Sequence, residues 1–329
     1  MVGGGQASAV ASKESRPAKV CYEHPRSAAP THGLSPPDAR MTDLKLAIFY
    51  ASWLLFPLAM ASAYQVWKGP RRWVAALGTG VWLLGIWARF IEPQWIRTEH
   101  AHIRLGLPQP LTIALISDTH LGLFKSSAFL ARVVQEVNAT QSAALFIAGD
   151  LTYEPPDDLV TLFAPLRALK MPAYYVPGNH DERAPGPYLR PTLAAALASH
   201  GVQPLEDRTL ALAGLTFAGL GDLWGGRLDW AVLQRAPSPV VLLMHNPDSL
   251  LHLPPAAATK VKLALAGHTH CGQVRVPGLY QRMIPTTGPF DCGWHDVEGL
   301  PLFITPGTGE IGLPLRLLNP PTVSVLRID

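Results

Sequence analysis

The chain has 329 residues, 48% hydrophobic and only 16% charged, with a formal net charge of +3. Its lysines and arginines are scattered, so there is no electrostatic footprint for nucleic acid and none is expected as a partner. Three cysteines, Cys21, Cys271 and Cys292, exclude a disulfide framework; Cys271 and Cys292 read as two ordinary thiols, although the pair could close in an oxidising compartment.

In chain order, residues 1–42 are rich in Gly, Ala, Ser and Pro without an apolar period and read as a disordered N-terminal segment. No apolar stretch of signal-peptide type precedes residue 44, and Met41-Thr42-Asp43-Leu44-Lys45 looks like a more ordinary translation start. Residues 43–92 read as one or two transmembrane helices. Leu46 to Trp67 is 22 positions without a charge, and about 20 suffice to cross hydrocarbon. Trp53, Tyr64 and Trp67 suit interface positions, and Pro57 kinks a span without forbidding it. A turn with three cations, Lys68-Gly69-Pro70-Arg71-Arg72, leads to a second uncharged run of 16 residues, Trp73 to Ala88, which Arg89 can lengthen by snorkelling. Positive-inside logic puts that turn in the cytoplasm, whereas Arg40, Lys45, Arg89 and Arg97 on the flanks argue the reverse, so the charge count leaves orientation open. Residues 93–110 read as a linker.

From Leu111 short apolar runs alternate with helical periods. Leu111–Ile116, Ala144–Ala148, Ala173–Val176, Val240–Met244, Lys262–Ala266, Leu302–Thr305 and Thr322–Ile328 read as strands. Ser126–Asn138, Asp157–Leu169 and Pro191–Ser199 read as helices, and Thr209–Leu220 as a hairpin turning at Gly214. Strand-helix alternation followed by strand-rich sequence predicts an α/β core with two packed sheets over residues 111–329.

Five of these apolar runs end in metal-ligand residue types. In Asp118-x-His120, side chains two apart on an extended segment point the same way. Gly149 lets the chain turn so that Asp150, with two oxygens, can bridge two cations. In Gly178-Asn179-His180-Asp181 the amide oxygen is a neutral ligand, while His180 faces the substrate space and Asp181 holds its second nitrogen. His245 closes Val241-Leu-Leu-Met244. In Gly267-His268-Thr269-His270 two imidazoles suit two neighbouring ions, one each. Singly, a Gly-Asp turn or a histidine after a strand is ordinary; five in order between Asp118 and His270 are not. Oxygen and nitrogen donors in this mix suit hard and borderline cations, and a pair of such ions activates water against phosphorus. Gly307-x-Gly309-x-x-Gly312 fits a dinucleotide-binding string, but Pro314 follows where a helix should open. Trp224, Trp294 and His295 suit either substrate contact or packing.

This order of motifs resembles the calcineurin-like metallophosphoesterase superfamily over Leu111–Asp329, and Pro306-Gly-Thr-Gly309 through Asn319-Pro-Pro321 resembles its bacterial membrane-associated branch. The resemblance implies a four-layer α/β/β/α sandwich preceded here by the transmembrane helical hairpin. It implies two divalent metal ions, Mn, Fe or Zn. One would be held by Asp118, His120, Asp150 and His270, the other by Asp150, Asn179, His245 and His268. His180 would remain unligated and act on the phosphate or leaving group, oriented by Asp181. Relatives often carry a second glycine where Cys271 stands, and that thiol is read as inert. The implied protein is a phosphoesterase anchored in a bacterial inner membrane, acting on a phosphodiester, phosphomonoester or pyrophosphate, with a lipid-linked substrate and the membrane as partners. A UDP-diacylglucosamine-type pyrophosphate is one alternative and requires the domain to face the cytoplasm. A non-catalytic metal-binding scaffold of the same fold is another.

Overall fold

The computed structural model describes residues 39–156, 158–182 and 188–329. Most of the segment expected to be disordered lies outside them, but residues 39–42 already belong to the first helix.

Helix α1 (Ala39–Ala51) continues into α2 (Leu55–Lys68) through a tight turn at Ser52–Leu54. Pro57 lies just beyond it; proline lacks an N–H and its ring crowds the carbonyl one turn back, which accounts for the irregularity. After the cationic turn, α3 (Arg72–Ile86) returns alongside α2. Small residues allow the two to approach closely: a Cβ on Gly78 would lie 3.1 Å from Ser62 Oγ, and one on Gly85 3.3 Å from Leu55. The spans Met41–Lys68 and Arg72–Gln94, 28 and 23 residues, are long and apolar enough to cross a membrane. Trp53, Leu54, Met60, Trp67, Trp73, Leu77 and Val81 point outward, an exposed apolar surface of the kind that marks a membrane or protein contact.

The end of this hairpin is built into the following domain, against the expectation of a linker over 93–110. Arg89, Glu92 and Pro93 are buried. Glu92 Oε1 accepts from Asn319 N at 2.5 Å, Ala88 O accepts from Arg316 N at 2.9 Å, and Pro93 O accepts from Lys125 Nζ at 2.6 Å. Strand β1 (Arg97–Ile103) then joins a sheet. It stayed hidden in the sequence because its face is polar and mostly exposed, with no apolar alternation to reveal an edge strand.

Strands β2 (Leu111–Ile116), β3 (Leu121–Gly122), β4 (Leu145–Ala148), β5 (Thr152–Tyr153), β6 (Ala173–Val176) and β7 (Val202–Pro204) follow, interleaved with helices α4 (Ser127–Ala139), α5 (Leu159–Phe163), α6 (Asn179–Glu182) and α7 (Arg190–Ser199). Then come β8 (Thr209–Leu212), β9 (Leu215–Gly219), β10 (Val240–Leu243), β11 (Val261–Ala266), β12 (Gly293–Val297), β13 (Leu300–Ile304) and β14 (Thr322–Ile328). One sheet runs β1-β14-β2-β4-β6-β7 and the other β12-β13-β11-β10-β9-β8. β2, β4, β6 and β7 are mutually parallel, as are β9, β10, β11 and β13. The β8–β9 hairpin turns at Ala213 and Gly214, both with positive φ, as a primed two-residue turn requires.

The sheets face each other across Ile113, Leu115, Phe146, Phe217, Leu243 and Leu265, with the Phe146 and Phe217 rings stacked at 4.4 Å. On β2 the alternate residues Ala114 and Ile116 instead pack under α4, α5 and α7. Burial on both faces explains why these strands read as continuous apolar runs. A third apolar cluster, with Val232, Leu233 and Leu250, covers the other sheet. The result is the expected α/β/β/α sandwich.

Candidate metal centre

The motif-bearing strands β2, β4, β6, β10 and β11 are parallel within their sheets, so their C-terminal tips gather at one edge, where α/β proteins place their ligands. The turns after them are unusual. Asp118, His120, Asp150, His268 and His270 all have positive φ, between 43° and 69°. Each costs about 1–3 kcal/mol outside glycine and persists only where surroundings enforce it. Asp118 and His120 therefore converge through left-handed turns, and not by the two-residue alternation of an extended strand. Glycines make the close approach possible: a Cβ on Gly178 would lie 2.1 Å from Asp150 Oδ1, and one on Gly149 2.6 Å from His245 Nδ1. Backbone donors hold the carboxylates, with His268 N on Asp118 Oδ2 at 3.0 Å and His180 N on Asp150 Oδ1 at 2.9 Å.

Two buried triads result, Asp118–His120–His270 and Asp150–His245–His268, each with ligand atoms within 4.8 Å of one another. His120 Nε2 stands 3.0 Å from His270 Nε2, and His270 Nε2 stands 3.3 Å from Asp118 Oδ1. In the second group His245 Nε2 lies 3.0 Å from His268 Nδ1 and 3.2 Å from Asn179 Oδ1. Asp150 Oδ2 is 3.6 Å from His120 Nε2 and 3.2 Å from His245 Nε2, between the two groups. All seven residues expected as ligands are thus brought together.

The donor set fits cations. The outward nitrogens of His120, His245 and His268 face the carbonyls of Thr152, Ala148 and Pro285 at 3.2, 2.8 and 3.0 Å. A proton on each outward nitrogen leaves a lone pair on the inward one. Asp118 Oδ1 is buried with no hydrogen-bond partner. Burial pushes the His120 and His268 imidazoles down to about 3, so both are neutral donors. Burial also raises the Asp118 carboxyl to about 7, with the Asp150 charge adding to it. Burial alone would raise Asp150, but His245 and His180 outweigh it and hold that carboxyl well below the carboxylate range. For His245 burial works against the cation, yet Asp150 and Asp118 prevail and raise it well above its ordinary value.

His180 is buried, its ring edge-on to His120 at 5.1 Å and to Tyr153 at 5.5 Å. Asp181 does not orient it. The Asp181 oxygens accept from Leu151 N, Thr152 N, Thr152 Oγ1 and Gly178 N, at 2.7–3.1 Å. Its carboxylate pins the Asp150 turn to the turn after β6, and the side chain is spent on backbone.

Near the centre, Tyr153, Lys45, Glu154 and Thr42 have no chemical signature in the sequence, whereas Trp224, Trp294 and His295 are open there to either substrate contact or packing. Tyr153 packs edge-on against both His120 and His180, and Lys45 of α1 sits over its ring at 4.7 Å. Lys45 also pairs with Glu154, to which Thr42 Oγ1 donates at 2.9 Å. Trp224 stands edge-on over His268 at 4.5 Å. Trp294 instead packs on Phe303 at 5.0 Å, and His295 pairs with Asp291. Cys271 and Cys292 are not thiols but a disulfide. It ties the residue after His270 to the start of β12, 21 positions along the chain.

Residues 111–272 match the family model of calcineurin-like phosphoesterases. An uncharacterized metallophosphoesterase of Helicobacter pylori is 30% identical over 245 residues, 68% of this chain and 60% of that protein. The uncharacterized metallophosphoesterase YkuE of Bacillus subtilis is 28% identical over 260 residues, 74% of this chain and 88% of the relative. A transmembrane protein with metallophosphoesterase domain from Danio rerio is 28% identical over 235 residues, 64% and 51% of the two chains. The similarity spans three-fifths of the Helicobacter protein and is not confined to bacteria. Five motifs at one edge of the sandwich, two triads of donors and the family match agree on one conclusion: residues 111–272 form a calcineurin-like metallophosphoesterase domain.

Proposed function

We propose that this protein is a membrane-anchored phosphoesterase that cleaves a phosphodiester, phosphomonoester or pyrophosphate bond at a dinuclear metal centre. The observation that carries the reading is the pair of triads with Asp150 between them. Asp118, His120, Asp150 and His270 would hold one cation, and Asp150, Asn179, His245 and His268 the other. Two divalent ions of the Mn, Fe or Zn kind, when bound, supply Lewis acidity and activate water toward phosphorus.

The chain's own groups do the rest. The His180 ring, edge-on to His120 and Tyr153, is placed to donate a proton to the departing oxygen. Its backbone N–H on Asp150 Oδ1 fixes its distance from the bridge. Tyr153 holds the His180 ring from one side. Trp224 shields His268 from bulk water. Asp181 keeps the bridging turn in place through its backbone contacts.

The disulfide supports a catalytic domain on the oxidising side of the membrane, because cytosolic thiols stay reduced. A hairpin returns to the side it left, so the Lys68–Arg72 turn then faces the cytoplasm, an orientation that the charge count by itself leaves open. That side disfavours a nucleotide-linked cytoplasmic substrate and favours a lipid-linked phosphoester exposed at the outer surface.

The test is hydrolysis of bis-p-nitrophenyl phosphate by the full chain in detergent with added Mn²⁺. Activity should vanish on chelation and return with metal. His180→Ala should keep two metals per chain while kcat falls by about 10²–10⁴. A wild-type protein with both metals bound and no turnover on any phosphoester would leave the scaffold reading standing instead.

A further inference from the structure

Beside the triads lies a cavity of about 370 Å³, within the usual range for a ligand site. Asp150, Asn179, His268 and His270 form its inner end. Thr269 and Gln273 also line it, but most of the remaining wall is apolar, formed by Trp224, Val274, Met283, Pro285, Ile311 and Leu313. A phosphate group needs none of that wall. The wall is also built rather than incidental. Gln273 Nε2 donates to the carbonyls of Ile311 and Leu313, both at 3.1 Å, and its Oε1 accepts from Ile311 N at 2.9 Å. Those three bonds clamp the 311–313 segment to the chain just after His270, and Gly312 N reaches Tyr153 Oη at 3.3 Å.

The outer rim is apolar as well. Met283 is 71% exposed and Leu313 45%, with Leu279 and Leu318 similarly bare. Leu318 adjoins Asn319, whose N–H is held by Glu92 at the end of the hairpin. Arg316, on the same segment, is held by Ala88. The segment that begins at the wall residue Leu313 is thus bonded, three and six residues further on, to the end of the apolar hairpin.

We infer that this cavity is a subsite for a hydrocarbon chain, so that the substrate is an amphiphile whose phosphoester meets the triads while its alkyl tail lies along the Val274–Met283–Leu313 wall. The inference rests on the phosphoesterase reading above. The occupant is a lipid because the segment that carries Leu313 is hydrogen-bonded, through Arg316 and Asn319, to the end of the membrane-spanning hairpin.

A homologous series of p-nitrophenyl alkyl phosphates, methyl to hexyl, tests it on the full chain in maltoside micelles with Mn²⁺. kcat/KM should climb by about 4-fold per methylene until the cavity fills. Met283→Ser and Leu313→Ser should each lower the hexyl-to-methyl ratio. Met283 is a surface position, so its variant stays folded even if the other does not. A flat series in a wild type that turns over the methyl ester would overturn the subsite and leave the phosphoesterase reading intact. A steep series unmoved by Met283→Ser would overturn its assignment to this wall. Failure to cleave any member would instead sink the catalytic reading itself.

Discussion

Asp118 and His245 carry opposite halves of one imbalance: burial lifts the carboxyl to about 7 while the surrounding carboxylates keep the imidazole protonated. A divalent cation needs both groups without their protons, so binding must release them. The sign follows: affinity is weakest at low pH and grows as pH rises through about 7, where Asp118 ionises. Calorimetric titration of the metal-free protein with Mn²⁺ should show Kd falling by up to about a hundredfold per pH unit below about pH 7, where both protons leave, and by about tenfold per unit just above it, where only His245 still gives one up. A Kd independent of pH would count against Asp118 and His245 as ligands. At this scale the donors were legible because each follows an apolar run that had to be a strand. Asp181 was misjudged for a physical reason: its partners are backbone N–H groups of turns at Leu151, Thr152 and Gly178, and residue types carry no trace of such contacts. The left-handed backbone at five ligand-bearing positions was equally invisible, since nothing in an Asp or His announces positive φ.

At the scale of elements, the last turn of the hairpin belongs to two structures at once. A chain beginning at residue 93 would remove the acceptors of Asn319 N and Arg316 N, Glu92 Oε1 and Ala88 O. A buried donor left unmatched costs about 1–3 kcal/mol, and a domain of this size loses roughly 2–4 °C per kcal/mol. Thermal melts in the same detergent should place the chain starting at residue 93 at least about 5 °C below one starting at Arg72. Equal melting temperatures would show that those contacts add nothing to the fold. Strands with both faces buried were readable in the sequence almost to the residue, as was the β8–β9 turn at Gly214. The edge strand β1, the two-residue β3 and β5, and the short polar β12 were not, because pairing with a neighbour defines them more than any periodicity of their own. The disulfide was unreadable for a related reason, since only the fold brings Cys271 and Cys292 together.

At the scale of the whole molecule, orientation in the membrane decides which substrates can be met. With the Lys68–Arg72 turn in the cytoplasm, protease added outside spheroplasts should digest the catalytic domain, and thiol reagent there should label Cys271 and Cys292 only after reduction. Protection of the domain in sealed spheroplasts would reverse the topology and restore a cytoplasmic nucleotide-linked substrate to favour. Two packed sheets, the hairpin and the gathering of donors at one edge were all legible from the chain, because they follow from long apolar runs. What joins the hairpin to the domain was not, because it depends on single buried charges such as Glu92. The fusion of hairpin and domain gives the proposed action on a lipid in a membrane a kinetic consequence. An enzyme tethered with its catalytic cleft at the lipid surface meets a lipid substrate by lateral diffusion in two dimensions. Its rate then follows the mole fraction of that lipid in the leaflet, and dilution of the bilayer with inert lipid should slow it while added buffer volume does not.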